Sequence, residues 1–175
     1  MTEPELKPGS LLLFIDKEWH PTATEPDPPI ETLLGAWEVD AAGQPGRFQP
    51  NPIYRPLSPG SPLDPVDAVL RELTRTGDGA DDLPSVLRTA TLGIAVDDQG
   101  VALVRPAPDG VPAVLVTTAF GHRRAMKDVP GWADITVRQL AAALPAHGVD
   151  VLLNPGAPAS MRLLADAIRT IAADA

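Results

Sequence analysis

Thirteen of the chain's 21 prolines fall within its first 65 residues, and no other feature restricts the possible folds as much. Each proline removes a backbone donor and keeps its predecessor out of the helical region. This part can therefore hold only short strands joined by irregular connections. It is not a low-complexity linker, because Trp19, Leu33, Leu34, Trp37, Phe48 and Tyr54 are spaced through it and need burial. Residues 1–9 are expected to be a mobile tail. Residues 11–15 read as a strand entering the core, 16–29 as a long connection and 30–34 as a helical turn. Residues 36–39 and 47–49 have the pattern of two hairpin strands across the loop 40–46. Residues 50–65 form an irregular crossing segment, packed down by Ile53, Tyr54 and Leu57.

Beyond this segment the punctuation changes. Asp64-Pro65 is a helix opening, an N-cap followed by proline at the first helical position. Val66, Val69, Leu70 and Leu73 give the 3.6-residue period, and Gly77 and Gly79 end it. Residues 78–82 mark the expected division between a Pro-rich part, 1–79, and an α/β unit, 80–175. A short helix at 83–88 leads into a strand at 91–96, which turns at 97–100 into 101–104 as a hairpin. After the turn at 108–110, residues 113–117 make the most hydrophobic strand, expected at the centre of the sheet. Residues 120–132 read as a loop or ragged helix. Thr136-Val137-Arg138-Gln139 has the form of a capping box. Behind it Val137, Leu140, Ala141 and Leu144 form an apolar stripe, stopped by Pro145 and Gly148. Residues 149–153 are a strand buried on both faces, closed by the turn Asn154-Pro155-Gly156. The last segment reads as a strand at 161–164 with a helix from Ala165, or as one helix capped by Ser160. The first is preferred, and both put Ile168 and Ile171 in the core.

Composition limits the function. At 175 residues, 44% of them hydrophobic, the chain can bury a proper core as one domain with at most an appended subdomain. A net charge of −9 argues against a nucleic-acid groove or an anionic membrane surface. The absence of cysteine excludes disulfides, thiolate zinc sites and a cysteine nucleophile. No apolar run approaches the roughly 20 residues needed to span a bilayer, and no signal segment opens the chain, so the expected location is the cytoplasm.

Catalytic chemistry finds little support. His20, His122 and His147 do not fall at metal-ligand spacing. The Asp81-Asp82 and Asp97-Asp98 pairs suit turns. No serine sits in Gly-x-Ser-x-Gly, and no glycine-rich loop cradles a phosphate. No catalytic, cofactor-binding or metal-binding residue is assigned. The one chemically biased feature is the basic cluster His122, Arg123, Arg124 and Lys127, with Trp132 just beyond as an aromatic anchor. It is a candidate docking surface for an acidic partner or a phosphate, weighed against a solvated loop that neutralises nearby carboxylates.

The run from Val114-Leu115-Val116-Thr117-Thr118, through Leu140-Ala141-Ala142-Ala143-Leu144-Pro145, to Leu152-Leu153-Asn154-Pro155-Gly156 resembles the SseB family. The stretches Gly35-Ala36-Trp37-Glu38-Val39-Asp40, Gly46-Arg47-Phe48-Gln49-Pro50-Asn51-Pro52 and Tyr54-Arg55-Pro56 are similar to actinobacterial proteins named as associated with type VII secretion. The resemblance implies an accessory of a secretion or envelope system, without catalysis, acting on protein partners such as secretion-system components or substrates. The fold expected is α+β: a mixed SseB-like sheet with helices packed on it and a Pro-rich, β-containing N-terminal extension. A small-molecule or anion-binding sensor, with a pocket between the two parts near Asn154-Pro155-Gly156, is the alternative. An uncharacterised hydrolase is a third reading.

Overall fold

The structure, a computed structural model, describes residues 6–174. The expected mobile tail therefore lies outside the described residues in its first five positions. The chain is α+β, with two sheets and five α-helices among the described residues.

Strands β1 (Leu11–Ile15), β2 (Leu33–Val39) and β3 (Pro45–Pro50) form a three-stranded antiparallel sheet in that order. Phe14, Trp37 and Phe48 meet on it with ring centroids 4.8–6.5 Å apart. Gly35 is required beneath them, because a Cβ there would stand 2.3 Å from the Gln49 carbonyl oxygen and 2.5 Å from the Phe48 ring. Strand β1 does not enter the core as expected. It is an edge strand, and Leu11 and Leu13 point outward, 61% and 50% exposed. The irregular segment after β3 is likewise held differently: Ile53 and Leu57 are exposed, and only Tyr54 packs down.

Helix α1 (Pro65–Thr76) is capped by the Asp64 carboxylate, which accepts the Asp67 N–H, and ends at Gly77 with φ 80°. It lies on the 1–79 side of the expected division, yet its Val66 and Leu70 share one core with the rest of the chain. Helix α2 (Leu83–Thr89) follows, then β4 (Leu92–Val96). The expected hairpin partner at 101–104 pairs with β4 only briefly, through a Val96–Ala102 bridge and the hydrogen bonds Asp97 N–H to Val101 O and Leu103 N–H to Ala95 O, both 2.9 Å. The chain instead forms β5 (Val104–Pro106), which pairs with β6 (Pro112–Thr117). Strand β6 is central, as its hydrophobicity implied: the larger sheet runs β7-β4-β6-β8-β9, with β8 parallel to β6 and the other pairings antiparallel. Here β7 is Gly131–Ile135, β8 Asp150–Leu153 and β9 Met161–Leu163. Strand β7 was not expected, since residues up to 132 read as loop.

Helix α4 (Val137–Ala143) carries the capping box in both directions, Gln139 N–H to Thr136 Oγ1 and Thr136 N–H to Gln139 Oε1. Helix α5 (Ala165–Ala173) follows β9, so the strand-then-helix reading holds, and Ile168 and Ile171 are buried. Helices α1, α2, α4 and α5 bury their apolar faces on one side of the sheet, against Leu92, Ile94, Val114, Val116, Val151 and Leu153. On the other side Ala95, Ala113, Leu115 and Leu152 are covered by Leu103, Met126, Val129 and Trp132. Coverage on both faces is why β6 and β8 are continuous apolar runs rather than alternating ones. No helix among the described residues is long and apolar enough to cross a membrane.

Candidate functional site

The carboxyl ends of β6 and β8 lie side by side, and the chain leaving each of them is tied to the other. Thr118 donates its N–H to Asn154 Oδ1 at 2.9 Å, and Asn154 Nδ2 donates to Thr118 Oγ1 at 3.0 Å. The Thr118 hydroxyl has one proton, and the 2.6 Å contact to Asp64 Oδ2 takes it. Asn154 is fully buried with φ 48°, a left-handed conformation that asparagine tolerates better than most residues. One side-chain network thus joins the Asn-Pro-Gly turn, the end of β6 and the start of α1. Complete burial pushes the Asp64 carboxyl up to about 6, against the pull of the Thr118 hydrogen bond.

Helix α3 (Phe120–Arg123) follows and divides two environments. On its inner side the His122 imidazole is buried, with Nε2 3.8 Å from Asp67 Oδ1. Neither atom has a hydrogen-bond partner. The other Asp67 oxygen is occupied, accepting Leu63 N–H and Arg71 Nε–H at 2.9 Å each. Burial holds the imidazole below its ordinary pKa, with the Asp67 charge opposing and Arg71 assisting. Nearby, Asp16 lies 2.9 Å from the Tyr54 hydroxyl and accepts Leu57 N–H. Burial alone would raise the Asp16 carboxyl, but hydrogen bonds from Ser61, Glu18, Leu57 and Tyr54 outweigh it and hold it low. A cleft of about 280 Å³ opens between the Pro-rich segment and the Asn-Pro-Gly turn. Pro56, Pro59, Pro155 and Pro158 stiffen its walls, and Arg71 and His122 line it.

On the outer side of α3, Phe120 is 66% exposed. The guanidinium carbons of Arg123 and Arg124 lie 5.8 and 5.6 Å from its ring centroid. Arg124 and Lys127 are exposed and form no ion pair among the described residues. Arg105 reaches the same loop from β5, donating to the Asp128 carbonyl at 2.8 Å.

Of the five residues assigned to this surface by sequence, Arg124 and Lys127 lie on it. Arg123 sits at its edge, paired with Asp134 at 2.5 Å and packed over Gly93, where any Cβ would collide with it. Its guanidinium also lies 5.5 Å from the Trp132 ring centroid. His122 and Trp132 are corrected: the first is buried against α1, and the second packs into the covered second face of the sheet. Phe120 and Arg105 take their place. An aromatic in a loop-like stretch carries no mark of exposure, and Arg105 joins the loop only through tertiary structure. The cluster of Asp64, Asp67 and His122 was likewise unreadable, although the capping role of Asp64 was visible. Among the described residues no group of three or more His, Cys, Asp or Glu side chains is placed to hold a metal ion.

In comparisons with known proteins, no family model matches this chain, nor does any curated protein or any solved structure.

Proposed function

We propose that this chain is a non-enzymatic cytoplasmic accessory, an adaptor of a type VII-like secretion system that works by protein–protein contact. The outer surface of α3 carries this reading: an exposed Phe120 ring framed by Arg123 and Arg124, with Lys127 and Arg105 beside it. Aromatic and arginine side chains dominate interface hot spots. Arg124, Lys127 and Arg105 form no ion pair among the described residues, and positive charge left without carboxylate partners on a chain of net charge −9 favours an acidic partner segment. The likeness of residues 35–40, 46–52 and 54–56 to actinobacterial proteins named as associated with type VII secretion supports the link to secretion. Affinity capture from a host with such a system tests it. Wild-type protein should recover secretion-system components, and Phe120→Ala with Arg124→Glu should recover about tenfold less of them or lower. Equal recovery by folded wild type and variant would reject the surface.

A second reading, a small-molecule or anion-binding sensor, rests on the proline-walled cleft beside Asn154, with Arg71 and an unbonded imidazole in its lining. Ligand-dependent shifts of the His122 ring resonances would support it, and their absence across a panel of small carboxylates and phosphates would count against it.

A further inference from the structure

A larger groove, about 660 Å³, lies between β2 and β3 on one side and α2 and the end of α5 on the other. Its lining combines an indole and aliphatic side chains with two guanidiniums. Trp37 is anchored by its Nε1–H, which donates to Thr89 Oγ1 at 3.1 Å. Leu12 and Val86 add apolar surface. Arg47 reaches across from β3 and donates Nη1–H to the Ala90 carbonyl at 2.9 Å. Arg88 donates Nε–H to the Ile171 carbonyl at 3.4 Å.

Both guanidiniums are oriented by neutral backbone acceptors, which leave most of their five donors unused. Among the described residues the lining offers one carboxylate, Asp174, 3.6 Å from Arg88 and 67% exposed. Among the described residues Arg47 has no ion pair. A solvated surface that neutralises local acid does not describe this groove, because bases outnumber acids in it on an otherwise acidic chain. Fixed guanidinium forks favour planar carboxylates, and the indole and aliphatic walls favour an apolar body between them.

We propose that this groove is a binding site for a dicarboxylate with a flat or branched apolar body, its carboxylates on Arg47 and Arg88 and its body against Trp37. The chemistry is shared by a free dicarboxylic acid and by an acidic peptide segment carrying an apolar residue, so the test has two arms. Isophthalate and acetyl-Glu-Leu-Glu-amide are titrated separately into the full chain while the three indole N–H resonances are followed. The Trp37 resonance should move saturably with a dissociation constant below about 1 mM for at least one probe, and neutral isophthalamide should not move it. Arg47→Gln with Arg88→Gln should weaken binding about tenfold or more. Asp174→Asn, at an exposed position, should tighten it roughly twofold by removing the competing carboxylate. Tighter binding of the tripeptide assigns the site to a peptide segment, and tighter binding of isophthalate assigns it to a free acid. The proposal is overturned if neither probe saturates the Trp37 resonance by roughly 10 mM, if the double Gln variant binds equally well, or if only Trp132 responds. That last result would place binding at the α3 loop instead, so the two surfaces fail separately.

Discussion

Asn154→Ala is expected to lower the free energy of unfolding by about 3–4 kcal/mol, read as a shift of the urea midpoint. Two effects add. The Thr118 N–H loses its acceptor in a fully buried place, and leaving such a donor unpaired costs about 1–3 kcal/mol. The φ of 48° costs an alanine roughly 1–2 kcal/mol. Asn154→Gly separates the two: it relieves the backbone strain without restoring the hydrogen bonds, and should lie between alanine and wild type. Asn154→Asp would set a second carboxylate beside the hydroxyl that already serves Asp64, so its deficit should shrink as the pH falls. A loss below roughly 1 kcal/mol for alanine would show that the turn does not depend on the network.

That network also marks where the sequence stops being informative. Local devices were readable because every group that satisfies them lies within one turn of chain: the Thr136–Gln139 box, the Asp64 cap, the Asn-Pro-Gly turn. The runs at β6 and β8 were readable because strands covered on both faces need no polar residue. Strand β7 was hidden because it is an edge strand with all five residues only half-buried or exposed, so no alternation survives in Gly131–Ile135. The hairpin expected at 101–104 forms only in part, for another reason. Gly100 does turn the chain, but a turn does not choose the partner, and Val104 pairs with Val114 on β6 rather than with β4. Leu11 and Leu13 misled by being leucines: the small sheet covers one face only, where Phe14, Trp37 and Phe48 meet. At the candidate site, hydropathy says nothing about direction. His122 and Phe120 are two residues apart on α3, and the imidazole is the one that faces inward, towards Asp67 on α1, while the ring of Phe120 stays exposed.

Those buried charges set the second large effect: Asp64→Asn should stabilise the protein at pH 7.5, by up to about 3 kcal/mol. The carboxyl sits at about 6 in the folded chain against an ordinary 3.8. A raised value means that the folded state holds the proton more tightly than the unfolded one. Its contribution is therefore complete below pH 3.8 and is lost as pH rises through 6. Asparagine remains a good N-cap, can still accept the Asp67 N–H and still meets the Thr118 hydroxyl, but never carries the charge. The variant's advantage should accordingly vanish at pH 4. His122 works in the opposite sense. Burial holds it below 6.5, so its contribution is present above 6.5 and lost as pH falls through the folded value. In wild type the two slopes oppose one another below pH 6.5. Asp64→Asn removes one of them, and stability of the variant should then climb with pH across that window. Urea unfolding at half-unit pH steps decides the matter. A variant weaker than wild type at pH 7.5 would mean that the carboxylate is held in its charged form by the hydrogen bonds of Thr118 and the helix start rather than driven out of it by burial, and an advantage that persists at pH 4 would mean that the gain does not come from removing the charge.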